Sequence, residues 1–74
     1  MWIMGQNEKS LFWVERFCGI HVYKQKDRYQ IVGIDRDTGA EIGLAEYDSE
    51  EKSKEVLIDL LTNIDKTRYV MPLN

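Results

Sequence analysis

Residues 49–65 read SEEKSKEVLIDLLTNID. Val56, Leu57, Leu60, Leu61 and Ile64 recur at i, i+1, i+4, i+5 and i+8, which lays one apolar stripe along a helix. Asp48 or Ser49 caps the first turn. With Asp48 as N-cap, Glu51 takes the reciprocal capping-box position, and Glu50 and Glu51 suit the positive helix start. Lys66 and Arg68 sit at or just past the negative end. Ile58 departs from the pattern. At about 100° per residue it lies outside the stripe centred near Leu60 and Ile64, and it gains meaning only if another surface completes a patch around it.

Ahead of this helix the chain reads as antiparallel strands. Residues 28–34 (RYQIVGI) and 40–47 (AEIGLAEY) flank Asp35-Arg36-Asp37-Thr38-Gly39. In the second run Ile42 and Leu44 alternate with Glu41, and the linker suits a type I turn closed by a left-handed glycine, so the two runs form a hairpin. Residues 11–17 (LFWVERF) and 19–23 (GIHVY) are two further β-rich runs, with Gly19 marking a bulge or turn between them. Trp2-Ile3-Met4 is a candidate first strand, followed by a loop from Gln6 to Ser10. Tyr69-Val70-Met71, stopped by Pro72, either adds a short last strand or packs as a tail. The expected fold is α+β: a small antiparallel sheet of four to five strands, packed by one C-terminal amphipathic helix, with a short extended tail.

Seventy-four residues make one domain. At this size a core rarely supplies more than about 3–5 kcal/mol of net stability, and small domains use disulfides, a metal or a partner subunit as a staple. Cys18 is the only cysteine and His21 the only histidine, which excludes an internal disulfide and a Cys/His zinc cluster. By elimination, self-association is the expected staple. The 43% apolar and 31% charged composition argues against disorder. No apolar run approaches the roughly 20 residues of a membrane span. The start Met1-Trp2-Ile3-Met4 has no basic n-region, so no signal peptide and a cytoplasmic location are expected.

The net charge of −3 is unevenly placed, at +2 over residues 1–36 and −5 over residues 37–74. A binder of duplex nucleic acid shows a pronounced basic stripe. The nearest equivalent is Lys24-Gln25-Lys26-Asp27-Arg28, which reads as a solvated hairpin turn. Asp35, Asp37, Gly39 and Glu46 superficially match a calcium loop, but that loop needs Asp or Asn at position 39, Gly at position 40, and helices on both sides. Cys18 and His21 are the one nucleophile–base candidate. On a regular strand their odd separation puts them on opposite faces; a bulge at Gly19 would rescue the geometry, but no cationic partner stands out to activate the thiol. No carboxylate pair and no glycine-rich phosphate loop stands out. An enzyme is not expected, and no cofactor or metal is assigned.

Aromatic residues are the suggestive feature, at 11% of a short chain. Adjacent Phe12 and Trp13 must point to opposite sheet faces, whereas one helix covers one face. A large ring here is therefore exposed, sealed by the tail with Trp2, or buried in a partner subunit. Exposed Trp, Tyr and Arg are the residue types of interface hot spots and base-stacking pockets. Self-association is accordingly expected at or beside strand 11–17.

Several short motifs stand together: Met1-Trp2-Ile3-Met4-x-Gln6, Ile42-Gly43-x-x-x-Tyr47, Ser49-Glu50-Glu51, Lys54-Glu55-Val56-Leu57 and Tyr69-x-Met71-Pro72. Taken together, they resemble a class of short proteins of phages, prophages and Gram-positive bacteria. Those proteins begin MWI-x-[ST]-Q-[DN], start a helix with Y-x-[ST]-E-E-x-A-x-E-V-L and often end near Y-x-M-P. The likeness covers about half the chain, with Gly5 where Ser is common and Ser53 where Ala is common. It carries over no catalytic or binding residue. It implies a mobile-element setting, in which tiny acidic proteins often bind and block something of the host.

Three functions follow as expectations. The first is a non-catalytic binding module, a phage or prophage antagonist of a host defence protein, contacting it through Trp2, Phe12, Trp13, Tyr69 and Ile58. The second is a homo-oligomeric sponge for a small nucleotide-like immune signal, with aromatic stacking and Arg16, Lys24 or Arg68 on the phosphates. The third is a passive structural component.

Overall fold

The computed structural model describes residues 1–74. In chain order the elements are β1 (Trp2–Met4), β2 (Leu11–Trp13), a 3-10 turn (Val14–Arg16), β3 (Phe17–Gln25), β4 (Arg28–Asp35), β5 (Glu41–Tyr47), α1 (Glu50–Thr62) and β6 (Arg68–Val70).

The β4–β5 turn is built as its residues dictate. The Asp35 carboxylate accepts from the Asp37 and Thr38 amides at 2.8 and 3.1 Å, and Gly39 takes the left-handed conformation at φ 74°. The Gly39 amide then closes on the Asp35 carbonyl at 2.9 Å. β3 joins β4 through Lys26 and Asp27, giving an antiparallel sheet in the order β3-β4-β5. A register slip after Phe17 puts Cys18 in a bulge beside Gly19. A second slip, between Ile31 and Val32, leaves Leu44 unpaired on β5 and lets both Leu44 and Ala45 reach the core.

Residues 11–17 do not form one strand. The Val14 amide donates to the Met1 carbonyl at 3.0 Å, and the Arg16 carbonyl accepts from the Arg36 amide at 2.8 Å. These tertiary bonds wind Val14–Arg16 into a 3-10 turn and override the β propensity of the run. β2 therefore belongs to a second sheet, ordered β2-β1-β6, in which β1 is antiparallel to β2 and parallel to β6. The molecule has six strands in two three-stranded sheets, where the sequence suggested one sheet of four or five. The tail is a strand, Arg68–Val70.

α1 starts at Ser49, whose hydroxyl accepts from the Lys52 amide at 3.0 Å. Lys52 thus occupies the position that an Asp48 cap would have given to Glu51. The helix ends at Asn63, with Ile64 in the turn beyond it. Its buried residues are Ser53, Val56 and Leu60; Val56 and Leu60 share one core cluster with Phe17, Ile31, Ala45 and Tyr47 of one sheet and Ile3 and Tyr69 of the other. Leu61 and Ile64, expected in the buried stripe, are 68% and 47% exposed. At about 100° per residue, Leu57 and Leu61 lie one flank round from Val56 and Leu60, and the sheets fill only the first flank.

Candidate functional site

Period-two alternation sorts the β2-β1-β6 sheet into two faces. Ile3, Phe12 and Tyr69 point inward, with Ile3 and Tyr69 buried and Phe12 packed against the core 6.1 Å from the Phe17 ring. Leu11, Trp13, Trp2, Met4, Arg68 and Val70 share the outer face. The register places Trp2 between Trp13 and Arg68, and Met4 between Leu11 and Val70. The Trp2 and Trp13 rings meet edge to face, 4.9 Å between centroids, yet stay 49% and 43% exposed. Neither the tail nor the helix covers them. Arg68 is the one charged group among the six positions.

The expected binding residues are thus dispersed. Trp2, Trp13 and Arg68 come together on the outer face, whereas Phe12 and Tyr69 serve the interior. The Tyr69 hydroxyl donates to the Asp59 carboxylate at 2.6 Å, fastening β6 to α1, and burial with that carboxylate pushes its pKa up. Arg16 is held by Asp35 at 2.8 Å. The Arg16 guanidinium, aided by the Thr38 and Asp37 amides, pulls the Asp35 carboxyl down to about 2. Lys24, at the end of β3, lies 5.8 Å over the Tyr29 ring. Arg16, Lys24 and Arg68 line none of four surface hollows of about 260 to 570 Å³.

Ile58 does acquire a completed patch. With Leu57, Leu61 and Ile64 it forms one wall of an open apolar groove of about 450 Å³, whose other wall is Val14 of the 3-10 turn and Cys18, Gly19 and Ile20 at the start of β3. Sequence reasoning missed Leu11, Met4 and Val70 on the outer face, although each shares its parity with Trp13, Trp2 or Arg68. It also missed the exposure of Leu61 and Ile64.

No group of three or more His, Cys, Asp or Glu side chains gathers to hold a metal. Every buried side-chain nitrogen or oxygen has a hydrogen-bond partner in the chain. No helix is long and apolar enough to cross a membrane. Comparison with protein-family models, curated proteins and solved structures finds no match.

Proposed function

We propose that this protein is a non-catalytic binding module that docks a protein partner on the outer face of the β2-β1-β6 sheet. The observation carrying the proposal is the exposed Trp2–Trp13 pair, set among Leu11, Met4 and Val70 with Arg68 beside it. Two edge-to-face indoles on a rigid sheet lose little entropy on binding and offer a large apolar area. The complementary partner presents an apolar patch with a carboxylate opposite Arg68. Arg16, just past β2, is already occupied by Asp35, and Lys24 and Arg68 lie on different sheets, so the dispersed cations favour a protein over a small phosphate ligand. The motif resemblance to phage and prophage proteins adds the setting, antagonism of a host protein.

Affinity capture from bacterial lysates, followed by reconstitution with the purified captured protein, tests this. Binding of one protein by the wild type, weakened about a hundredfold or more in folded Trp13→Ala and Trp2→Ala chains, supports the proposal. Retention unchanged by both substitutions, or no captured protein from any of several hosts, refutes it.

A further inference from the structure

α1 carries a far wider apolar arc than its own sheets cover. At about 100° per residue, Val56, Leu60 and Ser53 span about 60° and are buried, while Leu57, Leu61 and Ile58 extend the arc to about 200°. Leu61 and Ile58 are 68% and 63% exposed. The second arc faces the groove beside β3. β3 is itself an edge strand whose far side pairs with nothing in the chain, so it presents a row of free main-chain donors and acceptors. A Cβ added at Gly19, which lines the groove, would meet nothing within 4 Å, so the groove is open above the start of β3.

We propose that this flank is the interface of a homodimer: β3 pairs antiparallel with β3 of a second copy about a two-fold axis, and the Leu57–Ile58–Leu61 arc packs against its counterpart. The inference goes beyond the docking of a partner on the outer sheet face and stands on a separate surface. Three observations select a second copy as the occupant. The first is self-match. Antiparallel edge pairing is symmetric, so an edge fits its own copy isologously. One two-fold operation then satisfies both the open edge and the uncovered helix arc, which border the same groove.

Area is the second. The nine residues of β3 run about 30 Å and the thirteen of α1 about 20 Å, so the flank offers an area on the order of the 800 Å² per partner of a stable interface.

Charge is the third. The chain carries −3 overall, yet β3 has no carboxylate and carries Lys24. On the groove side of α1, Lys54 and Glu50 neutralise each other at 2.9 Å. Glu55 and Asp59 fall on the far side of the helix and only Glu51, next to Ile58 at the rim, adds an acidic group, so two acidic copies meet on a flank stripped of most negative charge.

Sedimentation velocity on the full chain tests the proposal, with circular dichroism to confirm that each variant folds. The wild type sediments as a dimer, and Leu61→Glu or Ile58→Lys weakens dimerisation about a hundredfold or more, while Trp13→Ala leaves it intact. Spin labels on the native Cys18, a measurement that needs no substitution, lie within about 30 Å of each other across the paired strands. A monomer at about 500 µM, a dimer lost with Trp13→Ala instead, or Cys18 labels farther than about 40 Å apart overturns the proposal. So does a monomer that binds added apolar peptide in the groove.

Discussion

Tyr47 donates its hydroxyl proton to the carbonyl of Pro72 at 2.6 Å. Gln6 donates to the same oxygen and to the Leu73 carbonyl, both at 3.1 Å, and its own side-chain oxygen accepts from the Glu46 amide at 2.8 Å. The end of β1, the end of β5 and the tail are thereby tied at one point. Buried Met71 sits between Pro72 and Tyr69 in the chain, and Tyr69 is fastened to α1 through Asp59. Gln6, Tyr47, Tyr69, Met71 and Pro72 all belong to the motifs that mark the sequence. Their work in this structure is closure of the fold.

Tyr47→Phe removes the bond to Pro72 and is expected to cost about 1 kcal/mol. Burial pushes the Tyr47 hydroxyl up to about 12 from 10.0. A raised phenol stabilises the fold fully below the unfolded value and loses that contribution as pH rises through the folded one. Wild-type stability should therefore fall between about pH 10 and 12 more steeply than that of Tyr47→Phe. Chemical denaturation across that range measures both effects.

Asp35 governs the acid side. Held at about 2 against an ordinary 3.8, its carboxylate contributes stability that is fully present above the ordinary value and is lost as pH falls through the folded one. Asp35→Asn should flatten the decline of stability between about pH 4 and 2, and it should lower stability at neutral pH by releasing Arg16. Urea midpoints at several acidic pH values check the slope.

Gly33 has no room for a side chain. A Cβ there would lie 2.7 to 2.9 Å from three atoms of the Phe17 ring, and the ring is buried beneath the helix. Gly33→Ala should destabilise by about 1–3 kcal/mol through overpacking. Adding Phe17→Leu to Gly33→Ala should cost less than the sum of the two single losses, a coupling that a double-mutant cycle measures.

Local signals were the legible part of this chain. The Asp35–Gly39 turn, the Ser49 cap among the two candidates, the irregularity at Gly19 and the opposed faces of Phe12 and Trp13 all follow from turn chemistry, capping and strand alternation. Three facts of tertiary origin were not. The Val14 amide bonds to Met1 and the Arg16 carbonyl to Arg36, and these bonds between distant segments split a β-rich run and create the second sheet. The apolar stripe of α1 identifies the helix but not which flank is buried, because Leu57 and Leu61 are as hydrophobic as Val56 and Leu60. Trp2, Trp13 and Arg68 were found as residue types. Their assembly on one face needed the parallel pairing of β6 with β1, a contact across 66 residues that no local pattern encodes.

Trp13→Ala should leave the fold intact while removing the edge-to-face contact with Trp2. Such pairs contribute about 0.5–1.5 kcal/mol beyond area burial, and the partial exposure of both rings places the loss near the lower end. Thermal melts followed by circular dichroism measure the loss. Trp2 fluorescence should shift to the red as its ring gains water.

Site-specific photocrosslinking is the most direct measurement of whether the outer sheet face is the docking surface. Benzoylphenylalanine replaces Leu11 or Val70 on that face, or Glu55 on the polar side of α1, in bacterial cells making the protein. The binding-module proposal predicts one discrete adduct to another protein from Leu11 and from Val70, and none from Glu55. Adducts from Glu55 alone, or no adduct from either sheet position beyond the chain's own dimer, would contradict it.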